Sequence, residues 1–167
     1  LKKEVSKITE EAMNGRIGFE QALISRVRML QNQPAEILNE LKNKININIG
    51  AKELIKTMSA NGAKTVLVSG GFTFLTEYLK FTLGFDFTHA NVLQISKSNN
   101  GFKTLTGNLE PPILDKNTKL LLLRKYAKKF NIKLEETMCV GDGANDIEMI
   151  KKAGIGVSYN GKDILNE

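Results

Sequence analysis

Two short apolar runs, Thr65-Val66-Leu67-Val68 and Thr137-Met138-Cys139-Val140, each lead into a glycine-containing turn and then a helical pattern. Continuous runs rich in β-branched residues suit strands buried on both faces, because a strand with one wet face would alternate with polar residues. Each run also follows a helical pattern. Ala51, Leu54, Ile55 and Met58 recur at helical spacing before Asn61-Gly62, and a helix is predicted from about Lys116 to Phe130. Further helices are expected over Thr73–Leu83 and Asp146–Lys152, with a last strand over Ile155–Tyr159. Residues 91–107 read as a hairpin: Asn91–Lys97, a Ser98-Asn99-Asn100-Gly101 turn, then Phe102–Thr106. Helices alternating with short buried strands imply parallel neighbours joined by helical crossovers. The predicted class is α/β, with a Rossmann-like, mostly parallel sheet.

Residues 1–46 carry only helical signals. Val5, Ile8 and Ala12 repeat at helical spacing before Gly15, and Phe19, Leu23, Arg26 and Leu30 do so in a second helix. Pro34 suits the first position of a third helix, with Ile37, Leu38 and Leu41 behind it. The expected organisation is a small helical cap over 1–46 and an α/β core over 47–167. No apolar run approaches the roughly 20 residues of a membrane helix. The single cysteine, Cys139, excludes an internal disulfide, fits a reducing cytoplasm, and reads as a buried, inert strand residue. A net charge of +6 raises the question of nucleic acid, yet 20 Lys and 4 Arg lie dispersed, alongside 16 Asn. Without a cluster of arginines and aromatics, no nucleic-acid partner is expected.

In a doubly wound sheet, ligands sit at the carboxyl ends of the strands, where both turns would open on one edge. Gly141-Asp142-Gly143-Ala144-Asn145-Asp146 places two carboxylates and an amide on such a turn. Helix capping would account for Asn145 or Asp146 alone. Two glycines and two carboxylates exceed what a cap requires, and point to a Mg²⁺ site built from hard oxygen ligands. Asp142 would bind directly and Asp146 directly or through water. A further carboxylate is wanted from another strand end, and no other loop offers one. Ser69-Gly70-Gly71 presents a hydroxyl and backbone N–H groups suited to an anion, although a plain tight turn would use the same residues. Lys119 falls in line with Leu123, Tyr126 and Phe130, so it either snorkels to solvent or meets a buried anion. Lys116 is its rival. Arg26, between Leu23 and Leu30 on its stripe, is either a snorkelling surface group or a bidentate clamp for a substrate carboxylate. His89, read as part of a Thr88-His89-Ala90 connector, receives no role. Ser-His-Asp, CxxC, HExxH and phosphate-loop lysine patterns are absent.

Three segments carry a family resemblance: Glu11-Ala12-Met13-Asn14-Gly15 with Phe19-Glu20-Gln21 and Arg26-Val27; Val68-Ser69-Gly70-Gly71-Phe72; and Val140–Ile147. Together with Asn117-Thr118-Lys119, they resemble the haloacid dehalogenase-like phosphatases over nearly the whole chain. The resemblance implies a Mg²⁺-dependent phosphomonoesterase that hydrolyses O-phospho-L-serine through an aspartyl-phosphate, in the cytoplasm, as a monomer or homodimer. It implies that Ser69 and Gly70 bind the phosphoryl group and that Lys119 neutralises its oxygens. Asp142 would coordinate Mg²⁺, and Asp146 would support the metal or Lys119. Asn145 would bond substrate or the metal shell, Arg26 would hold the substrate carboxylate, and Met13 and Phe19 would shape the pocket. One departure stands out. The family's Asp-x-Asp-x-Thr/Ser strand, which supplies the nucleophile, is absent, so the chain is expected to be a fragment whose missing ligands lie ahead of Leu1. Another small phosphorylated metabolite as substrate, or a non-catalytic binding module, are the alternative expectations.

Overall fold

The computed structural model describes residues 2–13, 16–115 and 117–160, without the side chains of Lys2 and Met13. The chain divides into two compact units, Leu1–Ile113 and Leu114–Glu167. The stop expected at Gly15 and the candidate Lys116 lie outside the described residues.

In the first unit, helices α1 (Lys2–Met13), α2 (Phe19–Arg28), α3 (Ile37–Lys42) and α4 (Ala51–Ala60) precede strand β1 (Val66–Phe72). Helix α5 (Thr73–Leu83) then crosses over to β2 (Phe87–Lys97), which turns into β3 (Lys103–Glu110). The sheet order is β1-β2-β3, with β1 and β2 parallel and β2 and β3 antiparallel. The hairpin therefore forms as its sequence indicates. Helices α2 and α3 lay Leu23, Val27 and Leu38 against Leu93 and Leu105 of that hairpin, with Phe72, Phe74 and Leu109 packed around them. A cluster of this kind supplies most of the drive for the unit to fold, at about 2 kcal/mol per large apolar side chain buried.

Three expectations are corrected here. Strand β1 is half-buried along its whole length rather than buried on both faces, because it ends the sheet among the described residues. Pro34 does not open α3. It bridges Thr104 while Asn32 and Ala35 donate to the carbonyls of Leu105 and Lys103 (2.9 and 3.0 Å), so this segment runs beside β3 and the helix starts at Ile37. A proline is tolerated there because its neighbours, not it, supply the cross-strand donors. His89 is a strand residue of β2 opposite Val68, not part of a connector.

The start of β1 is fastened by Asp86. The Thr65 N–H and hydroxyl both donate to Asp86 Oδ2 (2.8 and 3.0 Å), and Lys64 Nζ stands 3.7 Å from Oδ1. The Thr65 backbone hydrogen bond, more than the hydroxyl or Lys64, holds the Asp86 carboxyl below its usual range. Asp86→Ala is expected to cost about 1–3 kcal/mol in urea denaturation, since it orphans a donor at a strand start. A depressed carboxyl stabilises above its unfolded value, about 4, and loses that contribution as pH falls through the folded value. The advantage of wild type over Asp86→Ala should therefore hold at neutral pH and shrink as pH falls below about 4. A gap independent of pH would refute the assignment.

In the second unit, α6 (Thr118–Phe130) leads to β4 (Met138–Gly141), α7 (Ile147–Lys152) and β5 (Ile155–Ser158). Strands β4 and β5 are parallel, in the register Met138↔Ile155 to Gly141↔Ser158. Just ahead of helix α6, Asp115 Oδ1 accepts from the Asn117 N–H and the Thr118 hydroxyl (3.0 and 2.7 Å), an Asx turn that leads the chain into the helix. Gly154 lies so close to the Glu135 backbone that any Cβ would overlap it, which is what lets the turn into β5 pass there.

Candidate active site

The candidate residues fall into two groups, one in each unit. In the first, Val68 pairs with His89 and Phe72 with Asn91, so Ser69, Gly70 and Gly71 all stand opposite the single residue Ala90. Such an excess on one strand bulges its backbone and removes ladder partners from it. The turn is thus an interruption within β1, not its end. The Gly71 N–H donates to Ser69 Oγ (3.0 Å), and Asn91 Nδ2 donates to the carbonyls of Gly70 and Gly71 (3.0 and 3.3 Å). Space is tight at both positions. A Cβ on Gly70 would lie 3.3 Å from Phe19 Cζ, and one on Gly71 would lie 3.2 Å from Ser69 Oγ.

The fold therefore brings Phe19, at the start of α2, onto the Ser69-Gly70 turn. Arg26 is half-buried further along the same helix, where its Nε donates to Ala22 O (3.2 Å). The buried stripe of α2 is Ala22, Leu23 and Val27, so Arg26 sits on its flank rather than within it. Its other guanidinium N–H groups make no hydrogen bond among the described residues, which leaves a fork for an external anion. Met13 closes α1, and its side chain lies outside the described residues.

In the second group, β4 ends at Gly141 and the chain runs through Asp142 and Gly143 into a 3₁₀ turn over Ala144–Asp146. Asp146 is 1% exposed. Its Oδ2 accepts from the N–H groups of Asp142 and Gly143 (3.1 Å each), and its Oδ1 is ion-paired with Lys119 Nζ. Any Cβ on Gly141 would overlap the Asp146 side chain, so glycine is what admits this carboxylate behind the strand. Lys119 thus meets a buried anion, the sharper of the two readings of its place on α6. Asp142 differs from Asp146 in every respect. It is exposed, and its carboxylate makes no hydrogen bond or ion pair among the described residues. Asn145 is half-buried, with its Oδ1 beside Gly143.

These residues fit a hard cation in part. Asp142 offers a free oxygen ligand, whereas Asp146 commits both oxygens to Lys119 and the loop backbone. Among the described residues no three His, Cys, Asp or Glu side chains come together, so further ligands are required. Cys139 is buried in β4, and burial first, then the Asp146 charge, push its thiol up to about 11. It stays protonated at neutral pH and is no nucleophile. Asn91 is a residue that the sequence reading missed. Its signal was a carboxamide set within the apolar run Ala90–Leu93.

A family model described as haloacid dehalogenase-like hydrolase matches residues 1–154. A phosphoserine phosphatase of Archaeoglobus fulgidus is 42% identical over 98% of this chain, which spans 46% of that relative. The phosphoserine phosphatase of Methanocaldococcus jannaschii is 41% identical over the whole chain, which covers 77% of it. Among solved structures, a phospho-aspartyl intermediate analogue of phosphoserine phosphatase matches with a TM-score of 0.83 and 42% identity. That match covers 98% of this chain and 76% of the other. The chain thus spans less than half the length of the Archaeoglobus relative.

Proposed function

This chain belongs to the haloacid dehalogenase-like hydrolase family, and we propose that the whole protein hydrolyses O-phospho-L-serine to serine and phosphate in the cytoplasm, through an aspartyl-phosphate. The observation that carries this reading is the divided use of two carboxylates on one loop: Asp146 is buried against Lys119, and Asp142 is exposed and uncommitted. Relatives that bear the phosphoserine phosphatase name at about 40% identity support the substrate class. On this proposal the accepting aspartate would come from outside these 167 residues, in which Asp-x-Asp-x-Thr/Ser does not occur.

Mg²⁺, when bound, would draw charge from the phosphoryl oxygens as a Lewis acid. Asp142 would hold it directly, and Asp146 through water or by fixing the loop. The rest of the chemistry lies with this chain's own groups. Ser69 and Gly70 would bind the transferring phosphoryl through the hydroxyl and backbone N–H. Lys119, oriented by Asp146, would offset the charge on its oxygens. Asn145 would donate its amide to substrate or to a metal-bound shell. Helices α1–α3 would serve as a cap, in which Arg26 clamps the serine carboxylate and Phe19 and Met13 bound the pocket.

Phosphate release from O-phospho-L-serine against a panel of small phosphate esters tests the substrate. Arg26→Ala should raise KM for phosphoserine about 10- to 100-fold, the worth of one charge-assisted contact. KM for an ester without the carboxylate should barely move. Equal losses on both substrates would remove the clamp, and a better turnover of another ester would reassign the substrate.

A further inference from the structure

We propose that Asn91 is a positioning residue whose buried carboxamide sets the Ser69 hydroxyl as a hydrogen-bond donor toward a phosphoryl oxygen. The inference rests on the reading of Ser69-Gly70 as a phosphoryl-binding turn.

Three residues of β1 face one of β2, so the regular ladder is interrupted at Gly70 and Gly71 and their carbonyls take a partner outside it. Gly70 and Gly71 are half-buried, and a carbonyl turned inward from water needs a donor. Asn91 serves both with a single nitrogen, 3.0 Å from Gly70 O and 3.3 Å from Gly71 O. It is 0% exposed, so neither contact competes with bulk water. Two acceptors face this group, and only the nitrogen end of the carboxamide can satisfy them. That settles its orientation.

The consequence passes through one peptide plane. In a trans peptide the carbonyl and the following N–H point in opposite directions. Holding the Gly70 carbonyl toward Asn91 therefore turns the Gly71 N–H away from it, where that N–H donates to Ser69 Oγ (3.0 Å). A serine hydroxyl has one hydrogen and two lone pairs. With a lone pair occupied by Gly71, the hydroxyl hydrogen is directed elsewhere, and it has no acceptor among the described residues. An oxyanion would provide one. Asn91 thus acts on Ser69 through Gly70 and Gly71 without touching the bound group.

The amide of Asn91 meets this geometry because one nitrogen carries two hydrogens. An aspartate at 91 would turn acceptors toward two carbonyls, and a serine could satisfy at most one of them.

The test is a double-mutant cycle in the full-length protein, with Asn91→Ser, Ser69→Ala and the pair, assayed on O-phospho-L-serine and by titration with inorganic phosphate. Asn91→Ser should lower kcat/KM about 10-fold or more in wild type, yet less than about 2-fold in the Ser69→Ala background, because coupled residues are non-additive. A purely structural Asn91 would give equal losses in both backgrounds, and that result overturns the proposal. Should Ser69→Ala leave both activity and phosphate affinity intact, the phosphoryl reading of the turn is what fails. Should Ser69→Ala lose both while Asn91→Ser matches wild type, the proposal alone fails. Unmodified protein gives a second readout that needs no variant to fold. The Asn91 side-chain amide resonances should shift on saturation with inorganic phosphate, and fixed resonances beside moving Ser69–Phe72 amides would refute the coupling.

Discussion

Replacing Lys119 by methionine is expected to cost the fold about 3–5 kcal/mol, read as a lower urea midpoint, because it strands a buried carboxylate. The Asp146 side chain is 2% exposed and that of Lys119 15%, so water cannot take over as partner without opening the second unit. The loss is large against a total stability of roughly 5–15 kcal/mol. It is also not a measure of what the pair contributes. Much of it is the desolvation of an unpaired Asp146, which the two backbone N–H groups of Asp142 and Gly143 offset only in part. Lys119→Arg keeps the charge but brings a broader head into a space shaped for an ammonium, so it should recover some stability and less activity. A cost below about 1 kcal/mol for Lys119→Met would mean that the pair behaves as a solvent-exposed one.

Asp142→Asn should behave in the opposite way. Its carboxylate is exposed and has no protein partner among the described residues, so stability should stay within about 0.5 kcal/mol of wild type. Mg²⁺-dependent turnover of O-phospho-L-serine by the full-length protein should fall by about 100-fold or more, since a direct ligand to a Lewis acid supplies several kcal/mol at the transition state. The half-saturating Mg²⁺ concentration should rise as well. Turnover at the wild-type rate with unchanged Mg²⁺ dependence would remove Asp142 from the metal site. The contrast is the discriminating feature. Breaking the Lys119–Asp146 pair should cost stability as well as activity, whereas Asp142→Asn should cost activity alone.

Much of the fold was legible because its signals are local. The β-branched run before Ser69-Gly70-Gly71, the Asn61-Gly62 stop and the Ser98–Gly101 turn are decided by backbone preferences of neighbouring residues, and all three appear where expected. Pro34 misled for the converse reason. Its ring suits a helix start as well as an edge segment, and pairing with Thr104, 70 positions away, selected the second. The even half-burial of β1 was also hidden, since an apolar run reports what a strand can bury and not how many neighbours it has.

The site divides along the same line. Lys119 on an apolar stripe had either to snorkel to solvent or to meet a buried anion, and the Gly141–Asp146 turn offered carboxylates. Neither said which carboxylate would take the lysine, a partner 27 positions away. Asn91 went unremarked because a lone carboxamide in a strand has no local purpose. Its purpose is two carbonyls 20 and 21 positions back.

By itself, the sequence determined the kinds of chemistry available: hard oxygen ligands on one glycine-containing turn, a hydroxyl and backbone donors on another, and a lysine and an arginine on helical faces. Spacing and residue type suffice for that, since they act within a few residues. Tertiary structure alone decided which groups are spent on one another and which remain for a ligand. Lys119 closes on Asp146, Asn91 holds the bulge of β1, and Asp142 is left open. Burial made that choice, because a charge or amide removed from water must find its partner wherever packing has placed one.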